Sequence, residues 1–122
     1  MIVDHRIYTI PHGRMQEYLE RYEAVGFGLQ RRYLGHHIGC YVSEIGQLNQ
    51  VIHLWGFASM ADREARRARM EQDPEWVKFR KLNAGTFTAQ ETRILRATAF
   101  SPRAGIEEYF ERTDQTATHE QP

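Results

Sequence analysis

The sequence predicts an α+β domain whose elements follow the order β-α-β-β-α-β around a four-stranded antiparallel sheet. The apolar periodicity changes twice along the chain from about two to about 3.6 residues, and turn or capping residues mark each change. The composition agrees with one globular domain, because 41% of the 122 residues are hydrophobic and 26% are charged. The predicted order is the ferredoxin-like, or split βαβ, arrangement.

The first strand and the first helix are separated by a turn signal. Residues 2–10 are rich in β-forming side chains. Pro11-His12-Gly13 then combines a proline, which lacks an amide hydrogen, with a glycine that tolerates unusual dihedral angles. Over residues 14–33 the apolar side chains recur at helical spacing. Gly26 and Gly28 interrupt that run, which predicts a kink or a short break in the helix.

The next two strands form a hairpin. Residues 37–45 and 51–58 both have the composition and alternation of strands, and the segment around Gly46 between them favours a reversal of the chain. Two strands that are joined by so short a connection pair antiparallel.

The second helical region has two capping signals. Ser59 followed by Asp62 resembles a capping box, and it opens a charged helix that extends through Gln72. Asp73-Pro74 then resembles a second helix start, with proline at the first helical position. A last strand over residues 90–97 completes the predicted order.

Charge and cysteine content exclude several classes of function. The 16 basic residues balance the 16 acidic ones, so we expect no nucleic acid and no membrane as a partner. Cys40 is the single cysteine, which excludes an intrachain disulfide framework and favours a reducing compartment. No apolar run approaches the roughly 18 residues of a spanning helix, and the strand pattern beginning at Ile2 leaves no room for a targeting peptide. We therefore expect a cytoplasmic protein.

Several short motifs are more specific than the periodicity. They are Arg6-x-Tyr8-Thr9, the run from Leu29 to Gly35, the run from Glu44 to Trp55, the pair Ser59 and Arg63, and Ile94-Leu95-Arg96. These motifs occur in order with appropriate gaps, and together they resemble the NIPSNAP family over most of residues 2–102. We therefore divide the chain into a NIPSNAP-like domain over residues 1–102 and a C-terminal extension over residues 103–122, which we read as a short helix followed by a loose polar tail.

The resemblance implies a homodimer of the dimeric α+β barrel superfamily. In such dimers two sheets pack through their helix-free faces and enclose a cavity. Fold relatives include cofactor-free monooxygenases, haem-degrading enzymes, isomerases and cyclases, so the superfamily implies a site without naming its reaction. Animal members of the family are mitochondrial and are linked to vesicles and mitophagy. The family implies no catalytic motif that transfers to this chain.

The third strand carries the most informative side chains. Alternation places His53 and Trp55 on one face and the aliphatic Ile52 and Leu54 on the other. Because aliphatic side chains suit close packing beneath helices, we expect His53 and Trp55 on the helix-free face, where a dimer encloses them. There His53 serves as acid or base near neutral pH, and Trp55 offers a flat wall to a substrate. The alternative is that both are ordinary dimer-interface residues.

Polar side chains on the neighbouring strands complete the candidate site. Asp4, Arg6 and Tyr8 share one face of the first strand, where an unpaired charge in an apolar core would be costly. Polar cavity lining explains them, with Tyr8 as a catalytic hydrogen-bond partner; a salt-bridge network of Asp4 and Arg6 across the dimer explains them as well. On the second strand, alternation turns His37 and Tyr41 toward the same cavity as substrate contacts.

Other reactive groups receive structural roles. Alternation turns Cys40 toward the core, where burial makes a thiol inert. A metal site would need His37 and His53 from separate strands, and no His-x-x-x-His or His-x-Glu spacing supports one, so we predict neither a metal nor an organic cofactor. The arginine-rich residues 63–69 are read as a solvated helix face, and Gln30-Arg31-Arg32 as a structural tether.

These residues together predict a homodimeric enzyme that acts without a cofactor on an apolar or aromatic small molecule. The reaction types that the fold relatives suggest are those of a monooxygenase, an isomerase or a cyclase. The alternative is a non-catalytic dimer that binds a ligand or another protein. A cavity lined with titratable groups favours the enzyme.

Overall fold

The computed structural model describes residues 1–101, so the predicted extension over residues 103–122 lies outside the described residues. Each predicted element is present, and its ends differ from the prediction by a few residues at most. The elements are β1 (Ile2–Thr9), α1 (Met15–Arg21), a π-helical turn (Tyr22–Gly26), α2 (Phe27–Leu34), β2 (His36–Val42), β3 (Gln50–Phe57), α3 (Met60–Glu71), α4 (Pro74–Asn83) and β4 (Ala89–Arg96).

The four strands form one antiparallel sheet in the order β2-β3-β1-β4. β1 is a central strand, and its register places Arg6 opposite His53 of β3 and opposite Thr92 of β4. The helices pack on one face of this sheet. The topology confirms the ferredoxin-like arrangement that the element order predicted.

One helical rod runs from α1 through the π-helical turn into α2, and the wider turn lies where the sequence predicted an interruption. Gly26 closes the turn with ordinary helical dihedral angles, φ −64° and ψ −41°. A Cβ atom added there would lie 2.6 Å from two ring atoms of Phe79. Glycine is therefore required at this point by the close approach of α4 and not by backbone conformation.

Both predicted helix caps are present. The Ser59 hydroxyl accepts a hydrogen bond from the Asp62 amide at 3.1 Å, and the Asp62 carboxylate accepts one from the Ala58 amide at 3.0 Å. At the start of α4 the Asp73 carboxylate accepts from the Glu75 amide at 2.9 Å. The caps fix where α3 and α4 begin and hence where they cross the sheet.

The core fills the space between the sheet and the helices. β3 supplies three of its most buried side chains, Val51, Trp55 and Phe57, none more than 1% exposed. The other buried apolar residues are Ile10, Tyr18, Tyr22, Leu29, Leu34, Met70, Trp76 and Phe79. Seven of these eight belong to the helical segments, so the two layers share a single core.

The structure reverses the predicted assignment of the sheet faces. His53 and Trp55 lie beneath the helices and not on the helix-free face, and Asp4, Arg6 and Tyr8 share that covered face through the β1–β3 register. The prediction was wrong because alternation separates the two faces of a strand without telling which one the helices cover. Here the large His53 and Trp55 side chains, and not the aliphatic ones, fill the layer beneath the helices.

A bulge in β2 changes which of its residues share a face. The pairing with β3 advances by two residues on β2, from His37 to Gly39, for one residue on β3, so Ile38 is the extra residue. His37 and Cys40 consequently lie on the covered face, whereas Tyr41 lies on the helix-free face. The predicted common face for His37 and Tyr41 is wrong, because simple alternation does not continue through a bulge.

The helix-free face is mainly apolar, with the ion pair of Arg93 and Glu91 on its edge strand β4. Within residues 1–101 no helix covers it, and its Tyr41 and Leu95 side chains are 55% and 41% exposed. The register groups these residues with further half-buried aliphatic side chains, namely Val3, Ile7, Ile52 and Leu54. This face therefore offers a flat apolar surface built from all four strands.

Candidate functional site

A cavity of about 430 Å³ lies between the sheet and the helices. Its walls include five of the predicted site residues: Asp4, Arg6, Tyr8, His53 and Trp55. From the helical layer, Tyr18 and Tyr22 face them on one side, and Trp76 and Phe79 of α4 on another. The predicted residues thus meet in one cavity, although it lies on the opposite side of the sheet from the one expected.

His53 is held in this wall by a tyrosine. Its Nε2 lies 2.9 Å from the Tyr18 hydroxyl oxygen, and its ring meets the Tyr22 ring edge-on with 4.7 Å between centroids. Tyr18 and Tyr22 are one helical turn apart, so both rings project to the same side of the rod. The imidazole is 3% exposed, and its Nδ1 has no hydrogen-bond partner among the described residues.

Burial keeps this pair of groups neutral. Desolvation, together with His37 and Arg6, lowers the pKa of His53 to about 4. Burial likewise raises the pKa of the Tyr18 hydroxyl above its ordinary value. Near neutral pH the site therefore holds an uncharged imidazole beside an uncharged phenol. This is the protonation state in which an imidazole can accept a proton.

Aromatic rings form the apolar part of the cavity wall. Tyr8 stacks on Phe87 with 4.3 Å between centroids and 14° between planes, and Phe87 also meets Tyr18 edge-on. Trp55 and Trp76 line the cavity as well. Flat apolar surfaces with a few polar groups are typical of sites for small aromatic molecules.

A buried ion-pair cluster forms the polar end of the cavity. Asp4 is 1% exposed, and its carboxylate accepts hydrogen bonds from Arg6 Nε at 3.1 Å and from Arg63 Nε at 2.9 Å. Arg6 also donates to the Tyr8 hydroxyl at 3.4 Å. The negative charge of Asp4 is therefore neutralised within the chain, by Arg6 of its own strand and by Arg63 of α3.

Two predicted substrate contacts lie away from this cavity. His37 faces a separate groove beside α1 together with Cys40, and its ring packs against Trp55 with 4.6 Å between centroids. Tyr41 lies on the helix-free face. Burial raises the pKa of the Cys40 thiol, which agrees with the structural role predicted for it.

The predicted tether of residues 30–32 has mixed roles. Arg32 pairs with Asp73 at the start of α4, at 3.5 Å, and Arg31 lies over the Phe27 ring. Gln30 instead lines the cavity and accepts a hydrogen bond from the Tyr22 hydroxyl at 2.5 Å. The sequence therefore predicted the structural role of the arginines and missed the cavity position of the glutamine.

The sequence also missed Tyr18 and Arg67 as cavity residues. Tyr18 was counted only as part of an apolar helical stripe. Arg67 was placed on a solvated face, yet it lines the cavity. A signal was present in the spacing of Arg63, Arg67 and Met70, which repeats one face of a helix, since Met70 is fully buried.

Neither a metal-binding cluster nor a membrane-spanning helix is found in the part of the chain that the structure describes. Within residues 1–101 no three His, Cys, Asp or Glu side chains come together as a metal-binding group. Over the same residues no helix is long and apolar enough to cross a membrane.

Comparison with known proteins decides the family. A family model described as NIPSNAP matches residues 3–102, which is most of the chain. The chain belongs to the NIPSNAP family. This membership confirms the resemblance that the short motifs indicated.

NIPSNAP proteins of known structure share this fold. A crystal structure of a NIPSNAP family protein from Agrobacterium tumefaciens is 44% identical, with a TM-score of 0.80, and the match covers 83% of this chain and 96% of that one. A Nitrosomonas europaea protein of the antibiotic biosynthesis monooxygenase type matches with a TM-score of 0.58 over 80% of this chain and 98% of that one. At 10% identity, that second match shows a shared fold alone.

A curated NIPSNAP relative is much longer than this chain. The NipSnap homolog of Dictyostelium discoideum is 26% identical over 90 residues, which cover 74% of this chain and 40% of that protein. The chain therefore spans less than half the length of that relative.

Proposed function

We propose that this NIPSNAP protein is a homodimeric enzyme that removes a proton from a small aromatic molecule bound between its sheet and its helices. His53 is the base, and Tyr18 orients it. The resulting carbanion is either reprotonated at another carbon, as in an isomerase, or is oxidised by O₂ as co-reactant, as in a monooxygenase. In the second case a CH₂ group of the substrate becomes C=O, so that one oxygen atom enters the product and the other leaves as water.

The observation that carries the proposal is the neutral His53–Tyr18 pair in the cavity wall. When Nε2 carries the ring hydrogen it donates to the Tyr18 oxygen, and Nδ1 keeps a lone pair for an incoming proton. Nδ1 is buried and makes no hydrogen bond to a described residue, so the proposal requires the aromatic wall around His53 to move enough for the ligand to reach it. With a pKa lowered to about 4, His53 stays unprotonated across the neutral range, although it is then a weaker base than an imidazole whose pKa lies near the working pH.

The size and the lining of the cavity favour a small molecule as its ligand. Its volume of about 430 Å³ lies within the range of roughly 300–1,000 Å³ that such sites occupy. The stacked Tyr8 and Phe87 rings suit an aromatic ligand. The fold shared with the Nitrosomonas protein is compatible with oxygenation as one outcome.

The helix-free face supports the homodimer. It brings Ile52, Leu54 and Tyr41 to one apolar surface that no helix covers within residues 1–101. Packing two such sheets face to face is the general way for an apolar sheet face to leave water. Because the cavity lies on the other side of the sheet, each subunit keeps its own complete cavity. The single cysteine, Cys40, is partly buried against the core, and the lack of a second cysteine fits the reducing conditions of a cytoplasmic location.

Proton exchange into a ketone tests the catalytic proposal. We expect the protein to accelerate exchange of the acidic C–H hydrogens of 2-tetralone in D₂O, followed by NMR. The His53→Gln variant should lose this acceleration by a factor of about 100 or more, because a general base contributes that much. His12→Gln, which removes an exposed imidazole, is the matched control and should behave as wild type.

Three outcomes of this experiment are informative. Equal exchange rates in wild type and His53→Gln would contradict the role of His53. Binding of 2-tetralone without exchange would favour the alternative, a dimer that binds a ligand but does not react with it. Oxygen uptake in the same reaction, recorded with an electrode, distinguishes the oxygenase outcome from the isomerase outcome.

A further inference from the structure

Three guanidinium groups converge at the polar end of the cavity. Arg6 comes from β1, and Arg63 and Arg67 come from one face of α3, one helical turn apart. Asp4 accepts hydrogen bonds from Arg6 and Arg63, and the exposed Glu64 gives Arg63 a second partner. Two of the three cations are therefore neutralised within the chain.

Arg67 is the cation that remains. It lines the cavity and is only partly exposed, yet it makes no hydrogen bond and no ion pair with any other residue in the range 1–101. Burial lowers the pKa of Arg67, and repulsion from Arg6 and Arg63 lowers it further, while the nearby Asp4 and Tyr8 offset only part of this effect. A partly desolvated guanidinium beside two others is an unfavourable arrangement unless an anion joins it.

Most of the other charged side chains that line the cavity are positive as well. Asp4 is the single carboxylate among the described residues that line it, and it is already shared by two arginines. Arg80 and Lys81 of α4 add positive charge at the rim, and of these Arg80 pairs with Glu71 at 3.0 Å. Because the whole chain has no net charge, this excess of positive charge is specific to the cavity.

We infer that the ligand of this cavity is an aromatic carboxylate whose carboxylate binds Arg67. The inference rests on the proposed function for the cavity and names its substrate class. One unpaired guanidinium offers two parallel N–H donors, which matches one planar carboxylate. The rings of Tyr8 and Trp55 then contact the aromatic part of the ligand, and the carboxylate fixes which end of it approaches His53. This assignment adds a charged group to the apolar or aromatic small molecule that the sequence predicted.

Binding of a matched pair of probes tests the inference. 2-Naphthoate and 2-naphthamide have nearly the same shape, and only the first is charged. Isothermal titration should show that wild type binds 2-naphthoate at least about tenfold more tightly than 2-naphthamide, since one charge-assisted pair contributes that much. Arg67→Gln should abolish this preference and leave the affinity for 2-naphthamide unchanged. Arg69→Gln, exposed on the same helix, is the control and should keep the preference.

A second measurement separates ligand binding from a structural role. Removing an unpartnered cation from beside Arg6 and Arg63 relieves repulsion, so Arg67→Gln without ligand should be as stable as wild type or more stable. A large loss of thermal stability in Arg67→Gln would instead indicate a structural role and contradict the inference.

The results distinguish this inference from the proposed catalysis. Equal affinity of wild type for the two probes, or an unchanged preference in Arg67→Gln, would overturn the carboxylate site while the exchange experiment with 2-tetralone could still succeed. A preference for 2-naphthoate that depends on Arg67, without any proton exchange, would uphold the carboxylate site and count against catalysis. Failure of both probes to bind wild type would overturn the carboxylate site, and the 2-tetralone experiment would then decide the proposed catalysis on its own.

Discussion

His53 lies where a charged imidazole would be costly, because the sheet and the rings of Tyr18 and Tyr22 remove it from water. The same surroundings leave it one strong hydrogen bond, from or to the Tyr18 hydroxyl. A histidine placed in this way contributes to stability only while it is neutral. Its chemistry and the stability of the fold are therefore linked through a single protonation.

The linkage predicts a specific pH dependence of stability. The imidazole of the unfolded chain takes up a proton near pH 6.5, whereas folding lowers the pKa of His53 to about 4. Between these values the unfolded state binds more protons, so the contribution is complete above about pH 6.5 and is lost as the pH falls toward 4. The total effect should be about 3 kcal/mol.

Urea unfolding across this pH range measures the effect. His53→Gln should be less stable than wild type at neutral pH, and its stability should change less on acidification. His12→Gln should follow wild type throughout. A parallel pH dependence in wild type and His53→Gln would show that the imidazole is not kept neutral by the fold.

At the scale of elements, the π-helical turn decides how the helical layer meets the cavity. It joins α1 to α2 without a break and turns Tyr22 toward His53. Gly26 lets the Phe79 ring of α4 approach the rod at the same point. Helix α3 is docked differently, through the buried pair of Arg63 with Asp4. Close packing of Phe79 on Gly26 therefore fixes how α4 meets the rod, whereas an ion pair fixes how α3 meets the sheet.

Two glycines in this rod should respond in opposite ways to substitution by alanine. Gly26→Ala places a methyl group 2.6 Å from ring atoms of the buried Phe79, so we expect a loss of about 1–3 kcal/mol in the free energy of unfolding. Gly28 lies in α2 with nothing within 4 Å of the added atom, so Gly28→Ala should gain about 0.5–1 kcal/mol. Chemical denaturation of both variants checks the pair, and equal changes would contradict the close approach of α4.

The helices and strands could be predicted from the sequence, but the face of each strand that the helices cover could not. Caps such as Ser59 and Asp73 and the helical repeat are local signals, so the strands and helices appear where they were expected. Which face of β3 meets the helices depends on the shapes that the helices present, and Tyr18 and Phe79 are distant in sequence. The extra residue Ile38 in β2 has no local signature either.

The whole molecule uses the two faces of one sheet for different purposes. The covered face carries Asp4, His53 and Trp55 and lines the cavity. The other face carries Ile52 and Leu54 and is mainly apolar, with charged side chains on β4. The strand part of the candidate cavity could be predicted, since Asp4, Arg6, Tyr8, His53 and Trp55 line it, whereas the helical part with Tyr18 and Arg67 could not. The location of the cavity could not be predicted either, because alternation alone does not tell the inside of a sheet from the outside.

The proposed dimer predicts a specific sensitivity to charge. Leu54→Glu should convert the protein to a monomer in analytical ultracentrifugation, because a charge at the centre of an apolar sheet contact would lose its water. Leu82→Glu is the matched control, since Leu82 is 64% exposed on α4. A Leu54→Glu protein that sedimented like wild type would exclude the helix-free face as the dimer contact.

The π-helical turn also has a genetic consequence. The wider i→i+5 turn gives five residues roughly the rotation that four residues make in an α-helix, so deletion of a single codon within Tyr22–Gly26 would restore a regular helix and leave the faces of α1 and α2 nearly aligned. The change would fall on the turn itself, which places Tyr22 against His53, while the sheet would keep its sequence. In evolution, a lineage could thus alter one wall of the cavity in a single step without disturbing the surface through which the protein is proposed to assemble.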